Sequence, residues 1–232
     1  MTINILSPNG TTRSIEISPQ MEAHFAIPIN HANTILDQIN SGMYQKWFKD
    51  KKDMVVLDFG SNVGLVSLYM LPAVKKLMAV EPTPSHYDLL SELLWDNLTP
   101  QQNVMLSSSA LTAKEEDVVF ATGHATENKI TSPEGYGNNK ITVTGKPLSW
   151  FLNEIGETVD FCKIDVEGGE IFALTEEEVK LAYGKVKVFF VECHPTNNYG
   201  MDACREELVS RFTKAGYQIE IIDYQTFVAY ES

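Results

Sequence analysis

The sequence is poor in cysteine, in long apolar runs and in basic residues, and each shortage argues against a class of protein. Its three cysteines, Cys162, Cys193 and Cys204, form no C-x-x-C pair, so we expect reduced thiols rather than structural disulfides. No stretch of about 18 residues is apolar throughout, which argues against a membrane-spanning helix. The first residues lack the basic region and apolar core of a signal peptide, so we expect a cytoplasmic location.

Basic residues are also outnumbered, with 18 Lys and Arg against 31 Asp and Glu and a net charge of −13. Nucleic-acid surfaces need clustered Lys and Arg, and an anionic membrane would repel this chain, so we expect neither as a partner. What is present is ordinary for a globular protein: 232 residues, 44% hydrophobic and 21% charged. A chain of this length can bury a substantial core as one domain, and its composition leaves the oligomeric state open.

The most informative stretch is MVVLDFGSNVG, residues 54–64, which is followed at once by an apolar stretch from Leu65 to Leu71. The pattern predicts a buried parallel strand, a tight glycine turn and a helix, the opening unit of a nucleotide-binding α/β sheet. A dinucleotide-binding turn needs G-x-G-x-x-G, whereas this turn has Gly60 and Gly64 without a third glycine, which disfavours an NAD-dependent dehydrogenase. Asp58 at the strand tip would repel a pyrophosphate and attract the ammonium and sulfonium of S-adenosylmethionine. We therefore expect S-adenosylmethionine as the cofactor.

Apolar strands alternate with helical segments along the rest of the chain. Leu77–Val80 ends at Glu81, about twenty residues beyond the glycine turn, where an acidic residue accepts hydrogen bonds from a ribose. Asn103–Leu106 leads into a Ser-Ser-Ser-Ala tip at 107–110, which is small enough to lie beside an adenine. Two more buried strands are predicted at 159–166 and 187–192, and an antiparallel pair at 217–222 and 226–230. This order predicts a doubly wound, mostly parallel α/β sheet with one antiparallel strand.

The first fifty residues read as an extension of the same unit, with the main domain at 51–232. Alternating isoleucines on either side of Pro8-Asn9-Gly10 predict a small hairpin. Apolar residues at helical spacing predict a helix over 33–48, although Gly42 weakens the pattern. Such a helix either covers the cofactor cleft or packs on the sheet edge, and the sequence favours neither.

Two further segments carry predictions that concern the surface. The polar segment 123–139, between short β-like pieces, is typical of a substrate-facing insertion, with His124 and Tyr136 as candidate contacts. A helix is predicted at 171–181, with Glu176–Glu178 on a solvated face.

The carboxyl ends of the predicted parallel strands carry acidic residues and a histidine: Asp58, Glu81, Asp165, Glu167, Glu192 and His194. Ligands of open α/β sheets bind at this edge, so these side chains are expected to form one site. Lys163 lies on the same strand face as Asp165 and, being buried, needs a carboxylate partner. For methyl transfer to a hydroxyl, His194 is the best candidate for the general base because its ordinary pKa is near neutral, and Asp165 is the second candidate.

The same edge also has residue types that suit a divalent ion. Carboxylates such as Asp165, Glu167 and Glu192, together with His194, are ligands for magnesium or calcium. The chain has no tight H-x-x-H or D-x-D cluster among them. A divalent metal is therefore an alternative that the sequence does not favour, and no metal site is predicted.

Four motifs together identify a family resemblance: VVLDFGSNVG, AVEPTP, KIDVEGGE and VECHP, which span residues 55–195. The chain resembles the FkbM family of S-adenosylmethionine-dependent methyltransferases, and KIDVEGGE is the most specific of the four. The resemblance implies a seven-stranded, Rossmann-like class I methyltransferase fold and methylation of hydroxyl oxygens on sugars or polyketides. It further implies a cofactor turn at Asp58, Gly60, Asn62 and Gly64, a ribose contact at Glu81, and a reaction centre lined by Lys163, Asp165, Glu167 and His194.

The working hypothesis is an S-adenosylmethionine-dependent O-methyltransferase that acts on a small molecule or glycan, with His194 or Asp165 as the base. Alternatives are a non-catalytic protein that binds a nucleotide or S-adenosylmethionine and, less favoured, an NAD-dependent dehydrogenase. Beyond the turn and Glu81, the candidate cofactor contacts are Ser61, Pro82, Ser109, Ala110 and Asp165.

Overall fold

The computed structural model describes residues 1–25, 31–122, 129–131 and 139–232. The strands are β1 Thr2–Leu6, β2 Thr12–Glu16, β3 Met54–Phe59, β4 Val74–Val80, β5 Asn103–Ser107, β6 Ala110–Leu111, β7 Glu116–Thr122, β8 Lys129–Thr131, β9 Asn139–Lys146, β10 Phe161–Ile164, β11 Val188–Glu192, β12 Gln218–Ile221 and β13 Thr226–Tyr230. The α-helices are α1 Pro19–Phe25, α2 His31–Asn40, α3 Gln45–Phe48, α4 Leu65–Met70, α5 Pro84–Trp95, α6 Leu148–Ile155, α7 Glu170–Ala173, α8 Glu176–Ala182 and α9 Met201–Ala215.

The apolar runs of the sequence form a seven-stranded sheet in the order β12-β13-β11-β10-β3-β4-β5. β13 runs antiparallel to both of its neighbours, whereas β11, β10, β3, β4 and β5 are parallel to one another. This confirms the predicted fold class. The chain proceeds from β3 towards β5 on one side and continues from β10 on the other side of β3. The carboxyl ends of β3 and β10 therefore meet at a topological switch point, where open α/β sheets bind ligands.

Both faces of the sheet are covered, as the doubly wound prediction requires. Alternate residues of β3 enter different cores: Val56 joins the cluster that contains α4 and α5, and Leu57 joins the cluster that contains α6, α8 and α9. The N-terminal hairpin, β1 with β2, also buries Ile3 and Ile5 in the first cluster. Every residue of β3 is buried, which is why its sequence is a continuous apolar run up to Asp58.

Two predicted helices are each interrupted in the structure. The helix expected at 33–48 is divided into α2 and α3, because Gly42 adopts a left-handed conformation with φ of 84°. The helix expected at 171–181 is divided into α7 and α8, and Thr175 caps α8 by accepting a hydrogen bond from the Glu178 backbone N–H. The solvated face predicted for Glu176–Glu178 is wrong at Glu178, which is buried and accepts hydrogen bonds from the Ser149 backbone N–H and hydroxyl.

A second, four-stranded sheet with the order β6-β9-β7-β8 follows β5. Its longest pairing joins β7 to β9 in antiparallel register. Of the insertion predicted at 123–139, the structure describes β8 and Asn139, whereas His124 and Tyr136 lie outside the described residues. Across the described part of the chain, every helix is too short or too polar to cross a bilayer.

Candidate functional site

A cavity of about 380 Å³ opens at the carboxyl ends of β3 and β10, a size typical of small-molecule sites. Its lining comes from the sheet edge, from α2 and from the loops that follow β4, β5, β10 and β11. The residues that line it are Thr34, Ile35, Gln38, Tyr44, Phe59, Gly60, Ser61, Asn62, Val63, Leu65, Val66, Val80, Glu81, Pro82, His86, Ser109, Ala110, Leu111, Phe120, Lys163, Asp165, Val166, Glu167, Gly169, Glu192, His194 and Gln225.

The glycine turn after β3 is locked against the neighbouring strand end. A Cβ on Gly60 would lie 1.7 Å from the backbone oxygen of Asp165, and φ of 70° at Gly60 is unfavourable for other residues. Ser61 fastens the turn to β4, because its hydroxyl donates to the Asp58 carbonyl at 2.7 Å and accepts from the Val80 N–H at 3.0 Å. The turn therefore has little freedom to move independently of β4 and β10.

Glu81, at the end of β4, holds two loops in place around the cavity. Its Oε2 accepts the Asn62 N–H at 3.0 Å, and its Oε1 accepts the Thr83 N–H at 2.9 Å. His86 Nδ1 lies 3.8 Å from the same carboxylate. Burial raises the pKa of Glu81, and its backbone hydrogen bonds oppose that rise.

An ion cluster centred on the buried Lys163 lies at the edge of the cavity. Lys163 Nζ is 3.0 Å from Asp165 Oδ2 and 3.9 Å from Asp58 Oδ1, which confirms that the buried lysine has a carboxylate partner. Burial opposes the charge on Lys163, but Asp165 and Asp58 outweigh it and raise the pKa of the ammonium. Asp58 also accepts a hydrogen bond from the Ser67 hydroxyl at 2.5 Å.

Two predicted cofactor contacts do not lie among the described residues that line the cavity. Asp58 has no solvent exposure, because its carboxylate turns inward to Ser67 and Lys163. Gly64 faces α5, where an added Cβ would lie 2.8 Å from Leu90 Cδ1. The structure thus places both residues behind the cavity wall, where they support the turn rather than face a ligand.

His194, just beyond β11, is enclosed by carboxylates. Its Nδ1 is 2.9 Å from Glu170 Oε1, and its Nε2 lies 3.7–3.9 Å from carboxylate oxygens of Asp165, Glu167 and Glu192. Burial disfavours the charged imidazolium, but Glu170, Asp165 and Glu167 outweigh it and raise the pKa of His194 to about 10. His194 therefore carries a positive charge at neutral pH.

Glu170 is a functional residue that the sequence reasoning did not single out. It is fully buried at the start of α7, and its carboxylate accepts the N–H groups of Val166 and Gly168 at 3.0 and 2.9 Å. It thereby fixes the loop that carries Glu167, whose backbone has a left-handed φ of 56°. The signal in the sequence is an acidic residue directly after two glycines.

Asp165, Glu170 and His194 each place a ligand atom within 4.8 Å of the others, which is close enough for a metal ion. The donor set does not fit one, because Glu170 already receives two backbone N–H groups and the His194 ring. His194 Nδ1 is occupied by that contact as well. We assign no metal to the cluster.

Several small or apolar residues line the cavity where it passes β4 and β5, on the other side of β3 from β10. Pro82, Ala110, Leu111 and Phe120 lie there, with Ser109 beside them. This end is formed by the loop after β4 and by β6 and β7 of the second sheet. Its residues suit a flat ring better than a charged group.

One wall comes from the N-terminal region, through Thr34, Ile35 and Gln38 of α2 and through Tyr44. Tyr44 is buried, and burial, opposed by Lys163, raises the pKa of its phenol. Of the two placements considered for the predicted helix, the structure favours the one that covers the cleft.

The structure thus brings together most of the residues predicted for the site. Those that line the one cavity are Gly60, Ser61, Asn62, Glu81, Pro82, Ser109, Ala110, Lys163, Asp165, Glu167 and His194. Glu192, which was predicted at a strand end of this site, lines it as well. Tyr44, Thr34, Gln38 and Gln225 also line it and were not among the predicted contacts.

Comparison with known proteins gives matches at the levels of family, sequence and fold. The methyltransferase FkbM domain model matches residues 58–219. Methyltransferase sdnD of Sordaria araneosa is 32% identical, with 51% of this chain and 58% of that protein covered, so the chain spans little more than half of that relative.

Two solved structures are similar to this chain at low sequence identity. A methyltransferase from Geobacter sulfurreducens is 12% identical with a TM-score of 0.49, covering 94% of this chain and 90% of its own. The magnesium protoporphyrin IX methyltransferase of Synechocystis PCC 6803 is 10% identical with a TM-score of 0.48, covering 92% and 90%.

Proposed function

The chain belongs to the FkbM methyltransferase family, and from that premise we propose that it transfers a methyl group from S-adenosylmethionine to a hydroxyl oxygen of a small molecule or glycan. The observation that carries the proposal is that one cavity joins carboxylates at the ends of β10 and β11 with small and apolar residues that follow β4 and β5, on the other side of β3. S-adenosylmethionine likewise joins a cationic methionine part to a flat adenine.

The residues present fit this cofactor along the whole cavity. Asp165 and Glu167 suit the ammonium and sulfonium, because carboxylates favour nearby cations. Glu81, which lines the cavity, supports a contact to the ribose hydroxyls, and the small side chains of Ala110 and Pro82 support an adenine contact. When bound, the cofactor supplies an activated methyl group on a positively charged sulfur.

The task of the protein is to orient the acceptor and to take its proton. His194 is a poor proton acceptor despite the sequence-based prediction, because its surroundings keep it protonated at neutral pH. It is better suited to hold Asp165 and Glu167 in place and to offset their repulsion. The proton acceptor is then a carboxylate of this cluster.

The acceptor side supports a polar, uncharged substrate. Thr34, Gln38 and Gln225 contribute hydroxyl and amide groups that can bond to neighbouring hydroxyls of an acceptor. The net charge of −13 disfavours a nucleic acid through simple repulsion. A hydroxylated small molecule or glycan fits both features.

The test has a binding arm and a turnover arm. Isothermal titration is expected to show S-adenosylmethionine binding at micromolar concentration and no comparable binding of NAD. Release of S-adenosylhomocysteine is then measured while a panel of sugars and hydroxylated small molecules is offered. Binding without release for any acceptor would favour the non-catalytic alternative, and absence of binding would refute the proposal.

A further inference from the structure

We infer that Glu192 is the catalytic residue that removes the acceptor proton, an assignment that rests on the methyl transfer proposed above. Glu192 ends β11 and lines the cavity beside the reaction centre. The argument comes from comparing the hydrogen-bond partners of the carboxylates at this edge, since a carboxylate that is already fully hydrogen-bonded is a weak base.

The other buried carboxylates are committed to structural contacts. Glu170 binds two backbone N–H groups and the His194 ring, and Glu81 binds two backbone N–H groups. Asp165 accepts a hydrogen bond from the Lys163 ammonium at 3.0 Å, which neutralises much of its charge. Each of these contacts occupies carboxylate oxygens that a base would need for the acceptor proton.

Glu192 differs in its partners. Among the described residues, none donates a hydrogen bond to its carboxylate, and the nearest cation, His194 Nε2, is 3.9 Å from Oε1. Its side chain is 17% exposed, against 26% for Glu167, so it is also the less solvated of the two. Glu192 is therefore the carboxylate at this edge with the greatest need for a proton or a donor.

Charged groups from each packed element act on Glu192. Burial and the Asp165 carboxylate raise its pKa to about 7, Lys163 and His194 oppose the rise, and Asp223 of the β12–β13 turn adds to it. The buried Tyr44 phenol is near enough to interact electrostatically with Glu192. A general base is most effective when its pKa is near the working pH, which Glu192 satisfies.

The proposed step balances in atoms and charge. The acceptor hydroxyl passes its proton to a Glu192 carboxylate oxygen while its oxygen forms the new O–CH₃ bond. The S–CH₃ bond breaks, and its electron pair stays on sulfur, which leaves as a neutral thioether. Protonated Glu192 then returns the proton to solvent, to which its side chain is partly exposed.

The test compares Glu192→Gln with Asp165→Asn and with Glu177→Gln, a matched control at an exposed position of α8. We expect Glu192→Gln to lower kcat by about 10²–10⁴-fold, as for loss of a general base. Cofactor Kd, measured by titration calorimetry, should stay within about threefold, because the carboxylates nearer to Lys163 remain. Asp165→Asn should instead weaken cofactor binding, and Glu177→Gln should match the unmodified chain in both measurements.

A second readout does not depend on turnover. In the chain labelled with ¹³C at glutamate carboxyls, one resonance is expected to titrate near neutral pH, and Glu192→Gln should remove that resonance alone. An active chain whose Glu192→Gln variant keeps kcat within about threefold, or that shows no such resonance, would overturn the assignment. Failure of the unmodified chain to bind S-adenosylmethionine would instead refute the proposed function, and the catalytic role with it.

Discussion

The two ends of the cavity are held in different ways. At the end formed by the β3 turn and the loop after β4, the chain is fixed by hydrogen bonds to the backbone, as where Ser61 joins β3 to β4 and Glu81 receives the Asn62 and Thr83 N–H groups. At the end formed by β10 and β11, Lys163 and His194 are surrounded by carboxylates at 2.9–3.9 Å. The structure of the first end should thus depend mainly on shape, and that of the second mainly on charge. Changes of pH and substitutions that remove a charge should therefore affect the second end more than the first.

The largest effect is expected from removing the cation at the base of the charged end. Lys163→Met leaves Asp58 and Asp165 buried without their shared partner, so the free energy of unfolding should fall by about 3–5 kcal/mol in urea titrations. Lys187→Met is the matched control, because Lys187 pairs with Asp160 at the surface and should contribute less than about 1 kcal/mol. Equal losses for the two variants would contradict the buried cluster.

The next effect concerns pH and His194. Its folded-state pKa of about 10 lies above its unfolded value of about 6.5, so its stabilising contribution is complete below pH ~6.5 and lost as pH rises towards ~10. The free energy of unfolding should fall by a few kcal/mol across that window, on the order implied by the shift. His194→Gln should flatten the curve. An unchanged slope in the variant would show that another group carries the pH dependence.

A smaller effect is expected at the end of the cavity that contains Glu81. Glu81→Gln keeps one carbonyl acceptor but cannot receive both backbone N–H groups, so cofactor Kd should rise by about tenfold, as for about 1.4 kcal/mol. Calorimetry measures the change, with Glu177→Gln as the control. Since Glu81 lies away from the proton transfer, kcat at saturating cofactor should stay nearly constant. A large fall in kcat would contradict the proposal that the two ends of the cavity act separately in cofactor binding and proton transfer.

The smallest effect is expected at the wall formed by α2. Gln38→Ala removes an amide that faces the cavity, so KM for the acceptor should rise about threefold, as for a hydrogen bond worth about 0.5–1 kcal/mol. Cofactor Kd should not change. Steady-state assays at fixed S-adenosylmethionine would detect the rise in KM. An altered cofactor Kd with a constant acceptor KM would show instead that this wall contacts the cofactor and not the acceptor.

The sheet was largely predictable from the sequence, because its central strands are buried on both faces and read as continuous apolar runs. β3 and the terminal antiparallel pair were predicted to within a residue or two. The helix boundaries were less predictable. Apolar spacing continues through Gly42 and Thr175, and the breaks there depend on a left-handed backbone and on a cap that spacing does not report.

The candidate site was predictable in its membership but not in its electrostatics. Residues at strand ends must gather at one edge, so Glu81, Asp165 and His194 were found from topology alone. The charge state of His194 depends on Glu170, which lies at the start of α7 rather than at a strand tip and whose burial and backbone N–H contacts the sequence pattern does not report. The orientation of Asp58 was not predictable for a similar reason, because its carboxylate turns inward to contact Ser67 and Lys163.

The position of α2 along the chain has a consequence for how such enzymes diversify. Thr34, Ile35 and Gln38 precede residue 58, where the match to the family model begins, yet they form the side of the cavity opposite the sheet. We expect relatives to exchange this short segment freely while the cofactor machinery stays constant. Grafting another relative's first fifty residues onto this chain is thus a direct route to a new acceptor preference.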